Sequence, residues 1–303
     1  MRHIFCGTDE TPSLPITGLS EHGLVDWLAG QEANIGNWVT GSAWEAEPGT
    51  ICLIPGPDGA PAHILLGLDE EDGLWEYAAA RTRLPGGNYR LEDSLAPDAA
   101  GLAALGWALG AYEFRRYKSE KKEKDPARLC WPGTCDQGAV LNAVEAIFLV
   151  RDLINTPAAD MGPQQLAECA TQMAEEFDAE IELTVGDELL AQGYPAIHAV
   201  GRASTQAPRL IDLRWGDEKN PKLTLVGKGV CFDSGGLNLK PTSGMKLMKK
   251  DMGGGAHALG LARMVMGAGL PVRLRLLVPA VENSVAGNAM RPLDIIETRK
   301  GLS

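Results

Sequence analysis

The amino-acid sequence predicts an α/β protein made of two domains. Short apolar segments of strand length alternate along the chain with segments in which apolar residues recur at helical spacing. A charge-dense stretch, Arg115–Arg128, separates the two halves of this pattern. In the second half, Val272–Val278 is mostly apolar, which favours a strand buried at the centre of a sheet. We therefore expect a small N-terminal α/β domain and then an α/β domain with a largely buried sheet.

The N-terminal domain is predicted to begin with a helix and a hairpin. Apolar residues between Leu24 and Leu28 fit one side of a short helix. Thr50–Pro55 and Ala62–Leu68 are apolar runs separated by the turn sequence Gly56–Gly59. Two such runs joined by a Gly-containing turn predict an antiparallel pair of strands.

Two further helices precede the predicted domain boundary. One is expected around Trp75, and a longer one from Pro97 to Lys118, because proline suits a first turn and leucines recur at helical spacing. Arg115–Arg128 mixes both signs of charge without apolar periodicity, which is typical of a solvated helix end and a linker. We place the domains at residues 1–128 and 138–303, with the charged linker at about 115–137.

The second domain is predicted to alternate helices and strands. A helix through Val140–Ile154 stops before Pro157, which cannot continue it, and Pro163 opens the next helix. The remaining elements are predicted as strands over Ile181–Val185, Arg209–Trp215, Lys222–Val226 and Val272–Val278, and as helices over Glu188–Gln192 and Ala256–Met266.

Composition and charge argue against a nucleic-acid-binding protein and against a membrane-spanning one. The 303 residues are 45% hydrophobic and 22% charged, as in ordinary globular proteins. The net charge of −12 argues against nucleic-acid binding, because such a surface repels a phosphate backbone. No apolar run reaches the ~18 residues that a membrane span needs, and the N-terminus does not read as a signal peptide. We expect a cytoplasmic protein whose six scattered cysteines are reduced thiols.

The stretch Val226–Met252 carries the residues best suited to chemistry. Lys228 lies between two glycines at the end of a predicted strand, where glycine lets the backbone turn and a ligand approach. Asp233 and Asp251 are hard oxygen donors suited to Mn²⁺, Zn²⁺ or Mg²⁺. A lysine ligates a metal only as the neutral amine, whereas a protonated one, such as Lys240, can polarise a carbonyl. From spacing alone, a glycine-rich loop with surface lysines and a phosphate-binding loop remain alternatives, although the Walker pattern is absent.

Longer motifs in the second half resemble one known family. VGKGVCFDSGGLNLKP, followed by MKLMKKDMGGGA, is similar to the signature of the cytosol (leucyl) aminopeptidase family. Agreement continues in Arg151–Pro157, Ala199–Ser204, Pro208–Ile211 and Glu282–Pro292. The resemblance covers the chain from about residue 140 to its end, whereas the N-terminal half resembles the family in its α/β character and position.

The resemblance implies a fold and a reaction. The family has a small N-terminal domain that resembles a macro domain, and a larger α/β domain with a central mixed sheet. Its members release N-terminal amino acids from peptides, using two divalent ions per subunit, Mn²⁺ or Zn²⁺, with bicarbonate as the general base. They assemble as homohexamers. By this resemblance, the protein is a cytoplasmic metallo-aminopeptidase.

The resemblance also implies roles for individual residues. Lys228, Asp233 and Asp251 match metal ligands, and Asp233 matches the carboxylate shared by both ions. Lys240 matches the catalytic lysine that polarises the scissile carbonyl. Met248 matches a wall of the pocket for the first side chain of the substrate, with an ordinary core methionine as the alternative. Three neighbouring lysines are predicted to be surface charge: Lys246, Lys249 and Lys250.

One part of the family pattern is missing from the sequence. The family's Asn-Thr-Asp-Ala-Glu-Gly-Arg motif supplies further metal ligands and the arginine that holds the bicarbonate. It would follow the segment like Arg299–Gly301, and the sequence stops at Ser303. We therefore expect a C-terminally truncated catalytic domain that is inactive by itself. The alternatives are a catalytically dead relative that acts as a binding or assembly subunit, and an unrelated carboxylate metal protein. Glu282 and Asp294 lie nearby, but their spacing does not mark them as replacement ligands.

Overall fold

In its described residues, the N-terminal unit contains six strands and four helices before the start of the helix Gln137–Asn155. The computed structural model describes residues 3–7, 12–69, 73–92, 94–119, 125–298 and 300–302, and contacts divide the chain into two units, Met1–Val144 and Glu145–Ser303. The strands of the first unit are β1 (Phe5–Cys6), β2 (Leu14–Leu19), β3 (Ile51–Pro55), β4 (Pro61–Gly67), β5 (Gly87–Leu91) and β6 (Ala127–Cys130). Its helices are α1 (Glu21–Ala29), α2 (Ala33–Gly41), α3 (Leu74–Arg83) and α4 (Pro97–Gly110).

The six strands of this unit form one mixed sheet in the order β1-β6-β5-β2-β4-β3. All neighbours are parallel except β3 and β4, which form the antiparallel hairpin predicted from the two apolar runs. The predicted helices around Leu24 and Trp75 are confirmed as α1 and α3. The expectation of an α/β domain is therefore confirmed for this half of the chain.

The prediction of a helix reaching Lys118 is wrong, since α4 ends at Gly110. A Cβ at Gly110 would lie 2.3 Å from the carbonyl oxygen of Ala78, so glycine allows α3 and α4 to approach closely. Beyond this contact the chain offers charged residues instead of an apolar face. Glu113 pairs there with Arg115 over 2.8 Å and with Lys118 over 2.9 Å in an irregular segment.

The predicted linker also contains a strand. β6 (Ala127–Cys130) pairs with both β1 and β5, so it lies inside the sheet. This strand is difficult to predict from the sequence because it has only four residues and one of them is the charged Arg128. Residues 120–124 of the predicted linker lie outside the described residues. The domain bounds at 128 and 138 stay a prediction.

The second unit contains seven further strands and the remaining helices described for the chain. Its first helix, α5 (Gln137–Asn155), begins before the division between the units. The other helices are α6 (Pro163–Glu176), α7 (Glu188–Ala191), α8 (Pro195–Gly201), α9 (Thr242–Met245), a 3-10 helix (Met248–Met252) and α10 (Gly253–Gly267). The strands are β7 (Glu180–Val185), β8 (Arg209–Trp215), β9 (Lys222–Val226), β10 (Gly229–Asp233), β11 (Arg273–Asn283), β12 (Glu297–Thr298) and β13 (Gly301–Leu302).

The main sheet of this unit is mixed and centres on β11. On one side, β8 and then β7 pair antiparallel. On the other side, β9 and β10 both pair parallel with β11, one after the other. Helices α6 and α10 cover one face, where Leu166, Leu259 and Leu276 are buried in one apolar core. The mixed central sheet implied by the resemblance is confirmed.

The prediction of a central strand over Val272–Val278 is confirmed by β11, although one of its two faces is only half-buried. Leu274, Leu276 and Val278 face the core, but the alternate residues Arg273 and Arg275 are only half-buried. Arginine is tolerated there because Asp212 of β8, the register partner of Leu277, accepts hydrogen bonds from the Arg275 guanidinium through both carboxylate oxygens. In the described part of the chain, no helix is both long and apolar enough to cross a membrane.

Candidate metal centre

Lys228 occupies a break between two strands. β9 pairs with residues 273–277 of β11 and β10 pairs with residues 280–283, so the two short strands follow the same edge of one long strand. Gly227 continues the ladder by donating its N–H to the carbonyl of Leu277 over 3.0 Å. Lys228 lies at the break, and its side chain is 58% exposed. The interruption therefore presents a lysine at the edge of the sheet.

Glycines at this break are required by helix packing. A Cβ at Gly227 would lie 2.4 Å from the carbonyl oxygen of Gly254, and one at Gly255 would lie 2.9 Å from Val278 Cγ1. The N–H of Gly255 donates to the Lys228 carbonyl over 2.7 Å. The first turn of α10 is thus held directly on the strand break. This contact accounts for glycine at positions 227 and 255 without a bound ligand.

A β-bulge at Cys231 sets the position of Asp233. Val230 pairs with Val281, but Phe232 pairs with Glu282, so Cys231 is the extra residue in β10. Because of this shift Asp233 lies opposite Asn283. Bulges commonly re-aim side chains beside functional sites.

Asp233 is held by groups on both of its oxygens. Its Oδ1 accepts hydrogen bonds from Asn283 Nδ2 over 2.8 Å and from the Gly235 N–H over 2.9 Å. Its Oδ2 lies 3.0 Å from Lys240 Nζ. Burial raises the pKa of Asp233, but the hydrogen bonds from Lys240, Gly235 and Asn283 together outweigh it and hold the pKa below its usual value. The carboxylate is therefore ionised at neutral pH.

A second lysine–carboxylate pair lies beside the first. Lys228 Nζ is 2.7 Å from Asp251 Oδ2, and the Asp251 side chain is 15% exposed. Asp251 belongs to the 3-10 helix, which packs against β10. The approach of the ammonium does not have hydrogen-bond geometry, so Oδ2 is a buried oxygen that accepts no hydrogen bond from the described residues. In this structure the Lys228 ammonium occupies that oxygen, so a cation would bind it in place of the ammonium charge.

The donor set fits a divalent metal in part. Two carboxylates and a lysine that would have to lose its proton lie on adjoining elements. Oxygen donors of this kind suit Mn²⁺ or Zn²⁺. Within the described ranges, no three His, Cys, Asp or Glu side chains lie close enough together to hold an ion. The site therefore offers part of a coordination shell.

Of the remaining predicted residues, Met248 and Lys249 are half-buried at the start of the 3-10 helix. Lys246 and Lys250 are exposed, as predicted. The prediction that Lys249 is surface charge is wrong, because its Nζ donates to the Asn155 carbonyl over 2.7 Å. This bond satisfies a carbonyl at the C-terminal end of α5, where a positive charge is favoured.

Two acidic residues considered as replacement ligands have other partners. Glu282 Oε2 accepts a hydrogen bond from the Ser204 hydroxyl over 2.8 Å. Asp294 accepts the Arg291 N–H over 3.0 Å and contacts the Arg291 guanidinium. Both carboxylates are thus engaged in local structure.

Sequence reasoning missed two residues of the site. Asn283 lies within a segment that matches the family, but no sequence pattern pairs it with Asp233 or indicates the bulge at Cys231. The bulge places Asp233 opposite Asn283, and it arises from the pairing of two strands about 50 residues apart in the sequence. An Asn at the carboxyl end of a central strand was the available signal, since such strand ends carry sites in α/β sheets.

Two family models match the chain. The one described as the cytosol aminopeptidase family, catalytic domain, matches residues 148–303. The one described as the M17 aminopeptidase, N-terminal domain, matches residues 14–132. A probable cytosol aminopeptidase of Leifsonia xyli subsp. xyli is 36% identical in a 266-residue alignment that covers 83% of this chain and 54% of that protein. The chain thus spans about half the length of this relative.

Solved structures of similar proteins share the fold. The cytosol aminopeptidase from Coxiella burnetii is 45% identical, with a TM-score of 0.90 over 97% of this chain and 64% of its own. The bottromycin maturation enzyme BotP, solved in complex with Mn, is 29% identical, with a TM-score of 0.80 over 95% of this chain and 64% of its own.

Proposed function

Because this chain belongs to the cytosol aminopeptidase family, we propose that the whole protein releases N-terminal amino acids from peptides by metal-assisted hydrolysis. The observation that carries the proposal is the pair of lysine–carboxylate contacts, Lys228 with Asp251 and Lys240 with Asp233, inside the segment that the catalytic family model matches. The chain spans 54% of one relative and 64% of a solved one. The activity is therefore proposed for the whole protein, and this 303-residue chain is expected to be inactive by itself.

Two divalent ions, Mn²⁺ or Zn²⁺, are proposed as cofactors. Lys228, Asp233 and Asp251 would hold them, with Asp233 shared between the two. When bound, the ions supply Lewis-acid polarisation of the peptide carbonyl and a nucleophile at neutral pH. The Mn in the BotP structure supports a divalent ion, and the Asp233 and Asp251 carboxylates, each within 3.0 Å of a lysine ammonium, support a position that favours positive charge. Bicarbonate is proposed as the general base.

Lys240 is proposed as the catalytic lysine. Its ammonium lies 3.0 Å from Asp233 Oδ2, and its side chain is 31% exposed, so it can reach a peptide next to this carboxylate. A positive charge beside the scissile carbonyl stabilises the oxyanion that develops during attack. Met248, half-buried at the start of the 3-10 helix, is proposed as a wall of the pocket for the first side chain of the substrate.

The cellular setting and assembly are also proposals. Names of the relatives, which are cytosol aminopeptidases, support a cytoplasmic location. A homohexamer is proposed for the full-length form. A non-catalytic binding or assembly role is the second candidate, favoured by the incomplete donor set of the described residues.

Hydrolysis of an N-terminal leucine amide by the whole protein with Mn²⁺ tests the enzymatic proposal. We expect leucine release, and we expect the Lys240→Ala variant to lose most of it while it still binds Mn²⁺. The exposed Lys246→Ala variant, from the same segment, is the matched control and should keep full activity. An inactive wild-type protein that binds Mn²⁺ would support the assembly role instead.

A further inference from the structure

Two buried cysteines of the N-terminal unit are in contact. Cys6 of β1 and Cys130 of β6 have their Sγ atoms 3.2 Å apart. They are 6% and 3% exposed. The two residues are direct register partners on neighbouring parallel strands. This thiol pair joins the first strand of the unit to its last one.

The backbone geometry permits a covalent bond between these thiols. Paired strands lie about 4.7–4.9 Å apart, and a disulfide needs Cα atoms about 4.4–6.8 Å apart and an S–S length of about 2.05 Å. The Sγ atoms therefore need to approach by roughly 1 Å, which a rotation of the side chains provides. No rearrangement of the sheet is required.

The position of β1 allows an oxidant to reach the pair. β1 has two residues and forms one edge of the six-stranded sheet. Its described contacts include the N–H of Trp131 donating to the Cys6 carbonyl over 3.4 Å and the stacking of Phe5 on Trp131. A short edge strand opens locally at low cost in free energy. A brief opening of β1 exposes Cys6 to a small oxidant.

We propose that Cys6 and Cys130 form an intramolecular disulfide when the protein meets a peroxide. One thiol, as its thiolate, attacks hydrogen peroxide, breaks the O–O bond and becomes a sulfenic acid, and one water is released. The second thiol attacks this sulfur, forms the S–S bond and releases a second water. In balance, two thiols and one hydrogen peroxide give one disulfide and two waters. The product ties together residues 124 positions apart.

Other buried cysteines lack this arrangement. Cys52 contacts the Ser42 hydroxyl over 3.7 Å, and Cys231 contacts the Gly229 carbonyl over 3.6 Å. Burial raises the pKa of Cys231 to about 12, so its thiolate is scarce. Cys135 is half-buried and would be the first thiol of this unit to react if exposure alone decided. The disulfide is specific to the contacting pair.

Peroxide treatment of the folded 303-residue chain, followed by alkylation and non-reducing peptide mapping, tests the proposal. We expect loss of two of the six thiols and a cross-linked peptide that contains Cys6 and Cys130. The melting temperature should rise on oxidation and return after reduction, because a cross-link restricts the unfolded chain. The Cys135→Ser variant should behave like the wild type, and Cys6→Ser should lose the cross-linked peptide and the shift.

Two results would overturn the proposal. One is the recovery of Cys6 and Cys130 as alkylatable thiols while Cys135 is oxidised. The other is a cross-link between chains in place of the internal one. The Cys130→Ser variant provides a second test, so that poor folding of Cys6→Ser does not decide the result.

Discussion

Asn283 donates a hydrogen bond from Nδ2 to Oδ1 of Asp233 over 2.8 Å. The backbone carbonyl of Asn283 also accepts from the Ser234 N–H and from the Ser234 hydroxyl, over 3.0 and 2.7 Å. One residue at the end of β11 therefore fixes both the Asp233 carboxylate and the turn that follows it. Oδ1 is occupied by these donors, and Oδ2 is left facing Lys240.

We predict that Asn283→Ala weakens Mn²⁺ binding about 10–100-fold, as expected when a group that orients a metal ligand is lost. Free Mn²⁺ measured by electron paramagnetic resonance during titration reports the affinity. Asn220→Ala, in a loop of the same unit, is the control. An unchanged affinity of the Asn283 variant would mean that Asp233 does not need this orientation.

Lys249→Ala is predicted to lower the free energy of unfolding by about 1–2 kcal/mol, because the α5 carbonyl of Asn155 loses a charged donor. Urea unfolding at neutral pH measures the change. Lys246→Ala removes an exposed charge and should stay within roughly 0.5 kcal/mol of the wild type. Equal effects of the two variants would show that the Lys249 bond contributes nothing.

Asp212 provides a prediction about pH. Burial raises its pKa, but hydrogen bonds from Arg275 and Arg214 outweigh this and hold the pKa below its usual value. A lowered pKa in the folded state stabilises the protein above the unfolded pKa of about 3.9, and this contribution is lost as the pH falls through the folded value.

Asp212→Asn should therefore lower the free energy of unfolding by about 1–3 kcal/mol near pH 7. This is less than the loss expected for a fully buried ion pair, because both arginines are partly exposed. The difference from the wild type should shrink when urea unfolding is repeated at pH values below 4. A difference that is constant with pH would place the effect in packing and not in charge.

Gly227→Ala is predicted to destabilise the second unit by about 1–3 kcal/mol, because its Cβ would collide with the Gly254 carbonyl at the start of α10. Thermal unfolding detects the loss. Gly287→Ala is the matched control, since a Cβ there meets nothing within 4 Å. A neutral Gly227→Ala would show that α10 can shift without cost.

Sequence reasoning succeeded where the structure is local. The β3–β4 hairpin follows from its Gly-containing turn, and α5 ends before Pro157 because proline blocks the next turn. The two lysines and two aspartates of the family motif form two contacting pairs in the structure.

It failed where distant segments decide the structure. The glycines beside Lys228 suggest room for a ligand, whereas Gly227 and Gly255 allow α10 to pack on the strand break. The pairing of Asp233 with Asn283 depends on a bulge at Cys231, and a bulge leaves no periodic signal within its own strand. The contact of Lys249 with Asn155 joins residues 94 positions apart.

Mn²⁺ titration of the chain and of its Asp233→Ala and Asp251→Ala variants tests the central claim most directly. The account predicts that the wild-type chain binds Mn²⁺ and that either variant loses this binding, while Asp217→Ala, an exposed carboxylate of the same unit, retains it. Equal Mn²⁺ binding by all four proteins would contradict the assignment of Asp233 and Asp251 as metal ligands.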